Sequence, residues 1–285
     1  MNIKTDSRVP TKTMAEMADP HALYEKSVQS PDHDSEFLAT YYEEYTGHPL
    51  RHFREDFCGT ALLSSFFVTL HPDNSAVGID LDWPTLNWGI KHNVATLAPD
   101  QQQRLTLIHG NVLDLHNTHS QLIVAMNFSY MVFRNRPTLL QYFKKAKQGL
   151  TPGGLFMLDI WGGSESQIEQ EELRDIENTE DDGIGKFTFT WDQDQFDPGT
   201  YFCTTRIHFG FEDGTELRNA FVYDWRLWTI PEITELMQEA GFEDVHFLWE
   251  GTDPDTNEGT GIYERSDKGD ADLAWIAYMV GVNPK

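Results

Sequence analysis

The chain has little cysteine, little positive charge and no long apolar run, and each shortage removes a class of protein. Two of its 285 residues are cysteine, Cys58 and Cys203, in different segments. They cannot build a disulfide framework, and no C-x-x-C pair offers zinc ligands, so a reduced, cytoplasmic setting is expected. The opening MNIKTDSRVPTKTMAEMADP holds no apolar signal core. No stretch approaches the roughly 18 uncharged apolar residues of a membrane helix, so neither export nor membrane insertion is expected. Lys and Arg total 21 against 46 Asp and Glu, a formal charge of −25. Such a field repels phosphate backbones and anionic lipid and concentrates cations. The expected partner is therefore a small molecule, not nucleic acid or a membrane. The acidity has two readings, a solvated surface suited to a salty medium or a field favouring a cationic ligand. His116 and His119 stand near Asp114 with ligand-like spacing, but in a short connecting loop, and no metal is expected.

What is present is enough apolar and aromatic residue, 39% and 13%, for a sizeable core. Ser30-Pro31 followed by Phe37, Leu38, Tyr41, Tyr42 and Tyr45 before Gly47 predicts a helix from about Pro31 to Thr46. HALYEKSVQ predicts a shorter one, so residues 1–48 read as a helical cap. From Pro49 the strand candidates LRHFRED, AVGIDL, LTLIHGNV, LIVAMNFS and LFMLDIW alternate with helix candidates. That rhythm predicts an α/β, Rossmann-like doubly wound parallel sheet with its ligand at the carboxyl ends of the strands. After Trp161 the rhythm breaks. The acidic run SESQIEQEELRDIENTEDDG is expected as a solvated helix or mobile loop, and three period-two stretches, ending in ELRNAFVYDWRLW, predict an antiparallel insert over 164–228. A helix and two strands then close the chain.

The stretch FREDFCGTALLSS runs a strand into a tight turn and straight into a helix, which gathers backbone N–H groups at a helix N-terminus. One glycine alone is weak, and a ligand-free packed turn explains it equally well. The next two strand ends add compatible chemistry. Asp80 can accept both hydroxyls of a ribose, and Asn111 can meet an adenine edge on which Val112 packs.

Together, EDFCGT, GID, GNVLD and NFSY, in that order, resemble the motifs of class I S-adenosylmethionine-dependent methyltransferases, and REDFCGT, NFSY and YDWRLWT resemble one subgroup. The resemblance implies a seven-stranded sheet of order 3-2-1-4-5-7-6 with strand 7 antiparallel. It also implies a cofactor-binding domain of residues 49–163 and 229–285, and an insert acting as a substrate lid. The implied cofactor is S-adenosylmethionine, leaving as S-adenosylhomocysteine. Its implied contacts are Glu55, Phe57, Cys58, Gly59, Thr60, Asp80 with the following Leu81, Asn111, Val112 and Asn127. Phe57 stands where the motif's first glycine usually is, Ala61 where the third is, and Asp56 at a normally apolar position. Either Arg54 or Tyr24 is expected to hold the cofactor carboxylate.

Methyl transfer is an in-line displacement that draws mainly on positioning, and a base is needed only if the nucleophile arrives protonated. Asn127 and Tyr130 occupy the place of a strand-four motif of amino-methylating relatives, without its prolines; packing of the strand end is the competing reading. YDWRLW mixes Asp224 and Arg226 with Tyr223, Trp225 and Trp228, a set able to cage a cation and clamp a carboxylate, or simply to pack a lid. Trp249 and Glu250 form a further candidate pair. The expected reaction is methylation of a small amine, thiol or similar nucleophile, with Asn127, Tyr130 and Asp224 as catalytic candidates. The alternatives are a nicotinamide oxidoreductase, disfavoured because F-C-G-T-A-L lacks the glycines a pyrophosphate needs, and a binding module without catalysis.

Overall fold

The computed structural model describes residues 12–114, 116–177, 185–254, 256 and 259–285. Three helices come first: α1 (Met14–Met17), α2 (Pro20–Val28) and α3 (Pro31–Thr46). Asp19 caps α2 by accepting from the His21 and Ala22 amides, with Pro20 in the first turn, where a missing N–H costs nothing. The α3 helix ends on Gly47 at a left-handed φ of 73°.

The central sheet takes β1 (His52–Asp56), β2 (Ser75–Asp80), β3 (Leu105–His109), β4 (Ser120–Ala125), β5 (Leu150–Gly162), β10 (Glu243–Thr252), β11 (Gly259–Ser266) and β12 (Trp275–Val282). Their order is β11-β10-β12-β5-β4-β1-β2-β3. The pairs among β1 to β5 are parallel, and β12 is antiparallel to both β5 and β10. Eight strands stand where the sequence predicts seven. The difference is β11, the hairpin partner of β10 at the sheet edge, whose exposed and polar GTGIYERS carries no core-facing alternation.

The helices α4 (Leu62–Leu70), α5 (Trp83–His92), α6 (Pro99–Gln103), α7 (Arg136–Gly149) and α8 (Ile230–Ala240) alternate with these strands. On β4 the pleat divides the core: Leu122 and Val124 face the layer of α3 and α4, while Ile123 and Ala125 face that of α7 and α8, all four fully buried.

The insert forms a second sheet of order β6-β7-β8-β9: β6 (Gln170–Ile176), β7 (Phe187–Asp197), β8 (Phe202–Phe211) and β9 (Glu216–Arg226). Every pairing in it is antiparallel. Part of the acidic run expected as helix or loop is thus strand β6; residues 178–183 of that run lie outside the described residues. Its solvated charges fit an edge strand, which an acidic composition had disguised. Leu23 of α2 packs among Phe187, Phe189, Ile207 and Phe209 of the second sheet. The Met14 and Ala15 amides donate to Asp213 and Thr215 at the β8–β9 hairpin, so the first two helices are fastened to the insert.

Candidate active site

Two cavities meet where the first strands of the central sheet end beneath the insert. The smaller, about 250 Å³, lies over the turn from Phe57 to Ala61 and against Asp80. Phe57, Gly59 and Ala61 all hold left-handed backbone, with φ of 59°, 52° and 55°. Only Gly59 does so without steric cost, so two side-chain-bearing residues carry local strain at this turn. The turn is nevertheless over-determined. The Cys58 amide donates to the Ile79 carbonyl at 3.0 Å and the Ala61 amide to the Cys58 carbonyl at 2.7 Å. Gly89 of α5 lies so close that a Cβ there would sit 2.0 Å from the Thr60 carbonyl oxygen. Strand β2 supplies Asp80, whose carboxylate accepts from the Gly59 amide at 2.8 Å and the Asp82 amide at 2.7 Å. Burial raises its pKa, against the pull of those two donors. Glu55 accepts from the Ser64 amide and hydroxyl, fastening the first turn of α4, and burial pushes it up to about 8.

Helix α2 closes this cavity from above. Glu25 accepts from the Thr60 hydroxyl at 2.5 Å and the Asn93 amide nitrogen at 2.7 Å, which sets Tyr24 over the opening beside Tyr223 of β9. Burial pushes both phenols up, Tyr24 to about 12.

The larger cavity, about 490 Å³, adjoins the first and shares Tyr24, Gln29, Met126, Asn127, Tyr223 and Trp225 with it. Its aromatic walls come from both sheets, with Trp161 and Tyr278 from the central sheet and Trp191 from the insert. Asp159 on β5 is its buried acid. The two oxygens of Asp159 accept from the Asn127 amide at 2.7 Å and the Phe128 amide at 2.8 Å. Asn127 and Phe128 are themselves left-handed, with φ of 56° and 57°, so consecutive N–H groups converge on one carboxylate. Burial nevertheless wins over these donors and lifts Asp159 to about 7.

Of the expected contacts, the smaller cavity gathers Tyr24, Glu55, Phe57, Cys58, Gly59, Thr60, Asp80 and Asn127. Others fall elsewhere. Arg54 is fully buried and paired with Asp56, its Nε 2.7 Å from Oδ1, and Tyr142 donates to the same carboxylate; it is a core ion pair that faces no ligand space. Asn111 and Val112 lie outside the cavity lining: the Asn111 side chain accepts from the Leu113 amide, Val112 is in the core, and Leu81 is exposed. Tyr130 is enclosed in the core with no partner for its hydroxyl among the described residues, and borders neither cavity.

YDWRLW behaves as a strand. Tyr223 and Trp225 turn inward, so Asp224 and Arg226 turn outward. Asp224 accepts from the Thr204 hydroxyl at 2.9 Å. Arg226 stacks 3.8 Å over Trp228 and pairs with Glu232. Trp228 and Trp249 line a separate cavity of about 310 Å³, while Glu250 accepts from the Gly261 amide in the β10–β11 hairpin. Among the described residues no three His, Cys, Asp or Glu converge as a metal site. Asp159, Trp161 and Trp191 were hidden in the sequence, because strand runs such as LFMLDIW look like uninterrupted core. The signal was one acid inside that run.

No family model matches the chain, and no curated protein does. Solved structures do. An S-adenosylmethionine-dependent methyltransferase from Clostridium acetobutylicum superposes with a TM-score of 0.62 at 17% identity, over 93% of this chain and 97% of the other. The Micromonospora echinaspora amino pentose methyltransferase CalS10, solved with S-adenosylmethionine bound, gives 0.64 at 13% identity over 92% and 95%. The sugar N-methyltransferase KedS8 from Streptoalloteichus gives 0.63 at 14% over 100% and 99%. The chain has the methyltransferase fold. In this fold the two adjoining cavities lie at the carboxyl ends of β1, β2 and β4, where open α/β sheets bind their ligands.

Proposed function

We propose that the protein is an S-adenosylmethionine-dependent methyltransferase whose acceptor is a small molecule carrying an amine. One observation carries this reading: the cavity over the strand-end turn presents an acid for ribose hydroxyls and aromatic faces, but among its described lining residues no Lys or Arg. A cationic sulfonium nucleoside suits that donor and acceptor set; a dinucleotide pyrophosphate does not. When bound, S-adenosylmethionine supplies an electrophilic methyl group on a positively charged sulfur. Asp80 would hold the ribose, and Tyr24 and Tyr223 would cover the cofactor and exclude water. Asp159 would take the proton that an ammonium must lose before its lone pair can attack, a task suited to a carboxyl that titrates near neutrality. The aromatic walls around it would orient the amine along the line of displacement. The fold is shared with CalS10, an amino pentose methyltransferase, and with KedS8, a sugar N-methyltransferase, and the latter supports nitrogen as the acceptor atom.

Calorimetry with S-adenosylmethionine and S-adenosylhomocysteine, with NAD as control, tests the reading. Both sulfur compounds should bind and NAD should not; the reverse overturns it. Asp80→Ala should weaken binding by about 1–3 kcal/mol, the range for lost charge-assisted hydrogen bonds.

A further inference from the structure

The cavity beside the cofactor site has two chemically different ends. Its buried end is Asp159, enclosed by Trp161, Trp191 and Trp225. Its exposed rim carries Arg174 of β6. Arg174 donates to the Ser27 carbonyl at 2.9 Å and lies 4.8 Å over the Phe189 ring. Among the described residues no carboxylate comes within ion-pairing distance of it, not even Glu172, two residues away on the same inward face. In a chain of net charge −25, seven of the other nine described arginines are ion-paired with acids, whereas this cavity arginine, held among the described residues by a carbonyl and a ring, keeps most of its N–H fork for a ligand.

Resting on the methyltransferase reading, we infer that the acceptor is an amino-acid-type zwitterion, its amine seated at Asp159 and its carboxylate held at the rim by Arg174. A cation with no anion would leave Arg174 unanswered, and an anion with no amine would meet the buried carboxyl of Asp159. The rim acids Asp34 and Glu172 oppose a dianionic phosphate more than a monoanionic carboxylate, which sets the class of the anion.

The test measures binding to the full-length protein saturated with S-adenosylhomocysteine. The probes are matched pairs with and without the carboxylate: glycine and methylamine, β-alanine and ethylamine, 4-aminobutanoate and propylamine, 6-aminohexanoate and pentylamine; phosphoethanolamine is added. At least one amino acid should bind about tenfold or more tighter than its amine, the size of one or two charge-assisted hydrogen bonds. Arg174→Gln should remove that difference while leaving amine affinity unchanged, and Arg174→Lys should restore part of it. Equal affinity within every pair, no binding of any amino acid, tighter binding of phosphoethanolamine, or a preference that survives Arg174→Gln would each overturn the inference. Failure to bind S-adenosylhomocysteine in the first place would instead strike the methyltransferase reading.

Discussion

In the proposed reaction, Asp159 is the residue on which the chemistry turns. Two backbone donors pull its pKa down and burial pushes it up, and the outcome is about 7. A carboxyl raised in this way is protonated, and useless as a base, below that pH, and becomes competent as pH rises through it. Turnover should therefore climb on the acid limb through about pH 7. Asp159→Asn should lower turnover by about 100-fold or more, the usual scale of general-base loss, and flatten that limb, while S-adenosylhomocysteine affinity changes less than about threefold. Initial rates from pH 5.5 to 9, with parallel calorimetry, check both parts. An unchanged acid limb would assign the proton to solvent.

The same scale explains what the sequence hid. The charged pair Asp224 and Arg226 advertised itself among aromatics, yet period-two alternation sends both to the face opposite Tyr223 and Trp225. The strand period within YDWRLW carries the signal that sets this pair apart from the aromatics, and reading the pair as site residues left that signal unapplied. Nothing comparable revealed Arg54 as internal, since a guanidinium paired with Asp56 two residues on looks like surface charge until β1 is known to be central.

At the scale of elements, helix α2 is the one most directly tied to the smaller cavity. It is nine residues long, too short to hold its shape alone, and it is fixed by Leu23 in the insert core and by Glu25 at the strand-end turn. Glu25→Ala removes the second anchor. It should weaken S-adenosylhomocysteine roughly tenfold and speed amide exchange over Pro20–Val28, with little change at β4 and β5; hydrogen exchange with and without ligand measures this. Elements were legible wherever hydrophobic periodicity was strong, as in α3, β2 and β5, where turn residues such as Gly47 also marked ends. They were illegible where the chain lies at a sheet edge: β6 and β11 bury one side at most, so their charges overwrite the period that a core strand shows.

For the molecule as a whole, the excess of acids dominates. Carboxylates crowd a surface that has too few bases to answer them, so folding works against self-repulsion at low ionic strength. Added salt screens that repulsion, the Debye length falling from about 30 Å at 0.01 M to about 3 Å at 1 M. The melting temperature should accordingly rise with sodium chloride over that interval by several degrees, given roughly 2–4 °C per kcal/mol in domains of up to about 250 residues. Scanning calorimetry at fixed pH checks it, and a fall in melting temperature would mean that specific ion pairs outweigh the net field.

The partition shared by the two cavities ties their occupancies together. Tyr24, Gln29, Met126, Asn127, Tyr223 and Trp225 border both spaces, so an adjustment of these side chains by a guest on one side is felt by a guest on the other. Thermodynamic reciprocity makes the coupling factor identical in both directions. Substitutions in this partition therefore cannot be tuned for one ligand alone: each alters two affinities and the interaction between them. Residues such as Asp80 and Arg174, which border only one space, are where specificity for each guest can change independently.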